Sequence, residues 1–225
     1  MGDNTNVSSF KAYLMPVIIM IVLGLVFFLP AGSFGFWQAW ILWSIFSVLT
    51  LFITVYFVKK DRDLLSRRMQ VKEKESSPAI IRVLSLLAML TYVIPGFDFR
   101  YHWSAVPVWL VIAGNVLVFL GYVLIIIVFR ENSYASTVIQ VEQEQQVIST
   151  GPYSIVRHPM YTGLLMMTLS TPLALGSYWT LIFSFLFIPL NVFRIKKEEA
   201  LLLRDLPGYT NFCSKTPYRL IPFIW

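Results

Sequence analysis

The chain has 225 residues, of which 57% are hydrophobic and only 13% are charged, and its net charge is +6. Charged residues make up about a quarter of a typical soluble domain, so this composition indicates a membrane protein. The basic residues are not interleaved with aromatic residues in a nucleic-acid motif, and we expect no nucleic-acid partner. One cysteine, Cys213, excludes an intrachain disulfide and a cysteine-based metal site, and we expect no metal.

Long apolar blocks follow one another along the chain. A bilayer core about 30 Å thick needs roughly 20 helical residues to cross it. Six blocks reach or approach this length, and we predict them as membrane spans: 13–29, 36–58, 80–97, 106–129, 160–176 and 178–193. The last two are short and are separated only by a few residues, which predicts a tight helical hairpin. The expected fold is an all-α integral membrane protein of about six transmembrane helices.

The distribution of charge predicts the orientation in the membrane. With six spans, all of the 18 Lys and Arg residues except Arg100 fall on one side. Basic residues accumulate on the cytoplasmic side of membrane proteins, so this asymmetry predicts that both termini are cytoplasmic.

The chain divides into two regions by the placement of its polar residues. Residues 1–129 are predicted to be a scaffold of four helices, in which Asn115 forms a helix–helix hydrogen bond. An exposed loop on the outer side is predicted for three polar residues, Asp98, Arg100 and His102. Residues 130–225 contain a cytoplasmic connector, the helical hairpin, a C-terminal helix and a tail, and here the polar chemistry concentrates.

The densest polar cluster is GPYSIVRHPMYTG, residues 151–163. Proline is favoured at the first helical position and disfavours helical angles in the residue before it, so a helix should begin at Pro159 with His158 as its N-cap. A helix start attracts anions, and Gly163 would let a ligand approach the backbone closely. These features predict an anion-binding cup at the cytoplasmic interface, lined by Tyr153, Arg157, His158 and Tyr161.

Two further polar groups are predicted on the same side of the membrane. Glu198 and Glu199 follow the last span, where a carboxylate can hold an ammonium group; the alternative is ion pairing along the helix with Arg194 or Lys196–Lys197. Arg219 lies between prolines in the tail, which favours a docked segment, and its guanidinium suits a carboxylate or phosphate. Instead of a role in the site, Arg157 could contact lipid phosphates, and Arg219 could anchor the tail.

The combination of GPYSIVRHPMYTG, the Glu198–Glu199 pair and the closing PYRLIP resembles the isoprenylcysteine carboxyl methyltransferase family, especially its prokaryotic members. Phospholipid methyltransferases share the RHPxYxG and paired-glutamate pattern. The resemblance covers about residues 130–225. It implies an enzyme of a prokaryotic inner or plasma membrane, with membrane lipids as partners. The enzyme would transfer methyl groups from S-adenosylmethionine to a lipophilic small molecule or a lipidated acceptor.

The resemblance also implies roles for individual residues around a cytoplasmic cofactor pocket in the C-terminal half. The expected cofactor-binding residues are Tyr153, His158, Pro159, Tyr161, Gly163, Glu198 and Glu199. If the acceptor is a carboxylate, Arg219 is the first choice to hold it and Arg157 the second. If the acceptor is an amine or a phenol, His158 is the expected base.

Two other functions are compatible with these patterns. Sterol reductases have a similar RHPNY segment and use a nicotinamide cofactor. In this chain Met160 replaces the asparagine and Leu164 replaces an acidic residue, and both departures favour the methyltransferase. The third alternative is a lipid-binding membrane protein without catalytic activity.

Overall fold

The computed structural model of the protein describes residues 9–68, 78–136, 138, 140–142 and 144–225. These residues form helices and no strand, which confirms the predicted all-α class. The six longer helices are α1 (Ser9–Ala31), α2 (Trp37–Lys60), α4 (Pro78–Tyr101), α5 (Val108–Glu131), α6 (Pro159–Ala174) and α7 (Leu181–Asp205). The two short helices are α3 (Arg62–Arg68) and α8 (Tyr209–Lys215).

Within the described residues, four helices are long and apolar enough to cross a membrane: α1, α2, α4 and α5. Most side chains of these helices are not buried inside the protein, as expected where lipid surrounds them. Helix α6 has only 16 residues, and the second half of α7 is charged. The chain is therefore an integral membrane protein with four apolar spans, and the total of six stays a prediction.

The long helices form a closed ring of contacts in the order α2, α1, α4, α7, α6 and α5, in which α5 returns to α2. Helix α6 also contacts α2 and α4, so it lies towards the middle of the bundle. Phe27, Phe36, Leu42 and Val118 are fully buried in the main hydrophobic core, where α1, α2 and α5 meet α6. This arrangement places the start of α6 among several helices.

Helices α5 and α6 pack with unusually close backbones because glycines lie at their contact. A Cβ on Gly114 would be 2.6 Å from the backbone nitrogen of Ala174, and a Cβ on Gly121 would be 2.7 Å from the carbonyl oxygen of Gly163. Small residues of this kind let membrane helices approach each other. Asn115 donates from Nδ2 to the carbonyl of Ala174 at 3.1 Å, which confirms the predicted helix–helix hydrogen bond.

The predicted exposed outer loop is wrong for Asp98. This residue lies within α4 and is only 1% exposed, since its carboxylate accepts hydrogen bonds from Ser104 and Ser177. Arg100, in the last turn of α4, is exposed, and so is His102, which follows it. Ser104 is only six residues from Asp98, but Ser177 is 79 residues away, and charge alone revealed neither partner.

Helix α3 links the end of α2 to the connector that follows α5. Asp61 caps α3 by accepting a hydrogen bond from the Leu64 N–H at 2.9 Å. Arg67 pairs with Glu142 at 2.7 Å and also donates to the carbonyl of Ser133. Residues 69–77, which follow α3, lie outside the described residues.

Candidate functional site

The start of α6 has the predicted local structure. Helix α6 begins at Pro159, and His158 is its N-cap with a non-helical φ of −125°. Upstream, Gly151 has a φ of +56°, and a Cβ there would lie 2.8 Å from the side chain of Glu131. Glycine is favoured in this conformation, and the short turn Gly151–Ser154 then leads the chain to the start of α6.

The C-terminal tail docks onto this helix start, as predicted. The N–H groups of Arg157 and His158 donate to the carbonyls of Tyr218 and Arg219, both at 2.9 Å. Thr162 donates from its hydroxyl to the carbonyl of Leu220 at 2.9 Å. Two backbone donors that precede the helix are thus bound to the tail, so the expected anion cup has fewer donors than the sequence indicated.

Glu199 is the centre of a buried ion-pair network. Its Oε2 accepts a hydrogen bond from Arg219 Nε at 2.6 Å, and its Oε1 lies 3.2 Å from Arg157 Nε. His158 Nε2 is 3.3 Å from the same Oε1. The Glu199 side chain is only 6% exposed. The partners of Glu199 come from the start of α6 and from the tail. Arg157 therefore faces a carboxylate rather than membrane phosphates, and Glu199 pairs across the fold rather than along α7.

The charges around Glu199 determine its protonation. Burial favours the neutral form and by itself would raise the pKa of this carboxyl group. The hydrogen bonds from His158 and Arg219, with the nearby charge of Arg157, outweigh burial and lower the pKa below its ordinary value. Glu199 is therefore ionised at neutral pH and holds the tail to α6.

Glu198 belongs to a different set of contacts. Tyr161 donates from its hydroxyl to Glu198 Oε2 at 2.7 Å, and the same hydroxyl accepts from Arg194 Nε at 3.0 Å. His158 Nδ1 lies 3.9 Å from Glu198 Oε1. The Glu198 side chain is 26% exposed, so it is much more accessible than its neighbour Glu199. The imidazole of His158 therefore lies between the carboxylates of Glu198 and Glu199.

A cavity of about 470 Å³ opens beside these groups, and we call it the interface cavity. Its volume lies in the range of about 300–1,000 Å³ that is usual for small-molecule sites. Its polar lining includes Tyr153, Arg157, His158, Tyr161 and Glu198, five of the residues predicted from sequence. Its apolar lining includes Leu84 and Ala88 of α4, Leu164 of α6 and Phe187 of α7. One cavity is thus lined by polar groups from the start of α6 and by apolar side chains from three long helices.

The other four predicted site residues lie behind the cavity wall. Pro159 begins α6, while Glu199 and Arg219 form the ion-pair network. Gly163 faces α5, where a Cβ would come within 2.8 Å of the Gly121 carbonyl oxygen. The expectation that Gly163 admits a ligand to the backbone is therefore wrong, because the space beside it is filled by α5.

The connector contributes the remaining wall of the interface cavity. Tyr153 accepts a hydrogen bond from Asn132 Nδ2 at 2.8 Å, and burial raises the pKa of its hydroxyl to about 12. The phenol is therefore neutral at physiological pH. Tyr209 and Phe212 of α8 add aromatic side chains to the same wall.

Sequence reasoning missed Arg68 and Arg194 as cavity residues. Arg194 precedes Glu198 by one helical turn, so the helical period was a usable signal for placing it on the same face of α7. Arg68 has no comparable signal, because α3 reaches the cavity only through the tertiary fold.

Residues 109–206 match the phospholipid methyltransferase family. The matched segment extends from the first turn of α5 to just beyond the end of α7 and includes the RHP segment and both glutamates, but neither Arg68 nor Arg219. The phospholipid methyltransferase match supports a membrane methyltransferase. It agrees with the wider resemblance drawn from the motifs and leaves the isoprenylcysteine subtype as a finer proposal.

A second similarity is to a Delta(14)-sterol reductase of Mus musculus. The two sequences are 31% identical over 84 residues, which is 36% of this chain and 20% of the reductase. The chain spans about a fifth of the length of this curated relative. This short match gives some support to the reductase alternative, but it does not outweigh the phospholipid methyltransferase match.

Proposed function

We propose that the protein transfers methyl groups from S-adenosylmethionine to a lipophilic acceptor at the cytoplasmic surface of the membrane. The main support is the interface cavity, which joins polar groups at the start of α6 to apolar side chains of α4 and α7. A water-soluble cofactor and a membrane-soluble acceptor need such a boundary site to meet. The phospholipid methyltransferase match over residues 109–206 supports the same reaction class.

The side chains of the interface cavity fit the chemistry of S-adenosylmethionine. Glu198 is an accessible carboxylate and would hold the cofactor's ammonium group. The rings of Tyr153, Tyr209 and Phe212 offer aromatic surfaces for the adenine or the sulfonium, which is attracted to the face of an aromatic ring. When bound, the cofactor supplies an electrophilic methyl group.

The other predicted residues would act by positioning. Glu199 holds Arg157, His158 and Arg219 together, so the tail closes over the start of α6. This closure would exclude water and fix the orientation of His158 and Tyr161, which form the wall against the ligands. In this proposal Arg219 supports the site through Glu199 and is not the group that contacts the acceptor. Residues 130–225 would form the methyltransferase region, with Arg68 and α4 completing its cavity.

Ligand titration on the purified protein in detergent tests this proposal. We expect binding of S-adenosylmethionine and of S-adenosylhomocysteine, with no measurable binding of NADPH. Incubation with methyl-labelled cofactor and membrane lipid extract should then yield a labelled lipophilic product. A protein that binds neither cofactor would favour the non-catalytic, lipid-binding alternative.

The second candidate is a nicotinamide-dependent reductase, supported by the local similarity to the sterol reductase. It predicts the opposite ligand preference, with NADPH bound and S-adenosylmethionine excluded. The same titration therefore separates the two enzymes without knowledge of the acceptor.

A further inference from the structure

Two arginines of the interface cavity come from parts of the chain outside the sequence motifs. Arg68 reaches the cavity from α3, and Arg194 reaches it from α7. Arg68 donates to the carbonyl of Ser136 at 3.3 Å and to the sulfur of Met160 at 3.6 Å, and it lies 5.0 Å above the ring of Phe129. These contacts fix the guanidinium beside the first turn of α6.

The two guanidinium groups concentrate positive charge in a partly buried place. Burial lowers the pKa of Arg68; the Tyr161 hydroxyl opposes this shift, and the nearby positive charge of Arg194 adds to it. An arginine stays protonated in spite of such a shift, so two guanidinium cations line the same cavity. Guanidinium forks match the geometry of carboxylate and phosphate, and two of them in one cavity suit an oxyanion.

One phenol joins a positive and a negative side chain of the cavity. Tyr161 accepts from Arg194 and donates to Glu198, so its hydroxyl lies between the positive and the negative group. A ligand cation has its partner in Glu198, and a ligand anion has its partners on the opposite side of Tyr161. The two arginines first expected to hold an acceptor, Arg157 and Arg219, are bound to Glu199 instead.

The surroundings of the arginine pair indicate what is attached to the anion. Leu84 and Ala88 of α4, Leu164 of α6 and Phe187 of α7 line the same cavity and come from the apolar part of the bundle. An apolar chain placed there would be shielded from water, whereas a free inorganic anion would leave this surface uncovered.

We propose that Arg68 and Arg194 bind the oxyanion of an acceptor lipid, a carboxylate or a phosphate, whose apolar chain lies along α4, α6 and α7. The inference rests on the proposed methyltransferase function, because the bound lipid is then the methyl acceptor. The acceptor's negative charge is then held by Arg68 and Arg194, and the cofactor's ammonium group is held by Glu198.

Equilibrium binding of three single-chain lipids to the protein in detergent tests this site without methyl transfer. The probes are labelled oleate, which carries a carboxylate, lysophosphatidate, which carries a phosphate, and monoolein, which is neutral. We expect one or both anionic lipids to bind about ten- to a hundredfold more tightly than monoolein, as a charge-assisted contact requires. The tighter of the two anions identifies the oxyanion.

The variants Arg68→Gln and Arg194→Gln locate the effect. Each should lose most of the preference for the anion while binding monoolein and S-adenosylmethionine as the unsubstituted protein does. Arg62→Gln is the matched control, because Arg62 is an exposed arginine on the same short helix α3. Lost monoolein binding would indicate that Arg68→Gln does not fold. Arg68→Met, which keeps the apolar part of the side chain, would then be tested in its place.

Several results would overturn the proposal. Equal binding of the three lipids, or anion binding that survives both substitutions, would show that the arginines are not the receptor. A loss of cofactor affinity with unchanged lipid binding would assign them to the carboxylate of S-adenosylmethionine. Failure of the methyltransferase proposal is distinct, since the unsubstituted protein would then not bind S-adenosylmethionine at all.

Discussion

Substitution by glutamine should have different effects at the two adjacent glutamates of α7: a loss of stability at Glu199 and a loss of cofactor affinity at Glu198. Glu199→Gln keeps the shape of the side chain but removes the charge that faces Arg157 and Arg219. Removing one partner of a buried ion pair costs about 3–5 kcal/mol. For a protein of this length each kcal/mol corresponds to roughly 2–4 °C in Tm, so the expected loss is about 6–20 °C.

Glu198→Gln should leave the fold nearly intact. The side chain is 26% exposed, and a glutamine oxygen still accepts the hydrogen bond from Tyr161, so the cost in stability should stay below about 1.5 kcal/mol. The affinity for S-adenosylmethionine should instead fall about ten- to a hundredfold, because the charge facing the cofactor's ammonium is lost.

Thermal unfolding in detergent and cofactor titration on the same preparations measure both effects. Asp205→Asn is the control, because Asp205 lies on the same helix and pairs with its neighbour Arg204 at the surface. We expect this variant to match the unsubstituted protein in both assays. A larger drop in Tm for Glu198→Gln than for Glu199→Gln would refute the division between a structural and a ligand-facing carboxylate.

Four other predictions follow from the structure. Arg219→Ala should reduce turnover more than cofactor affinity, while Arg219→Lys should retain much of the activity, since a single Nε contact joins Arg219 to Glu199; equal damage by both, measured as kcat and Kd, would contradict this. Gly163→Ala should cost about 1–3 kcal/mol of stability, because its Cβ would press on the α5 backbone, and an unchanged Tm would disprove the close contact. The lowered pKa of Glu199 stabilises the fold above the ordinary carboxyl pKa of about 4.3, and this contribution disappears as the pH falls through the lower native value; Glu199→Gln should therefore have a flatter Tm-against-pH curve in acid. Cys213, near the C-terminus, should react with a membrane-impermeant maleimide only after the cytoplasmic face is opened, whereas cysteine at the exposed outer position 102, in Cys213→Ser protein, should react in intact cells.

The features that the sequence predicted well are those determined by neighbouring residues. Proline favours the first helical position, so the start of α6 at Pro159 was accessible from sequence. The end of α7 before Pro207 follows from the same steric rules. The long apolar blocks identified α1, α2, α4 and α5 because the thickness of the bilayer determines the length of a span.

The partners of charged residues depend on how distant segments converge, and here the sequence was insufficient. The helical period offered ion pairs within α7 as the alternative for Glu199, but its partners are Arg157, His158 and Arg219. The same limit applies to Arg68, which reaches the cavity from a short helix between two spans. A glycine next to a motif is equally ambiguous, since Gly163 serves the packing of two helices.

The glycine contact between α5 and α6 has a consequence for how ligands enter and leave. Backbones in direct contact cannot move further together, and separating them would break the hydrogen bond from Asn115 to Ala174. The wall of the interface cavity that Ile125 of α5 and Leu164 of α6 contribute is therefore the rigid one. The opposite side is formed by larger side chains of α4 and α7, such as Leu84 and Phe187, which can change rotamer without moving a helix. We expect exchange of a lipid with the bilayer to occur between α4 and α7.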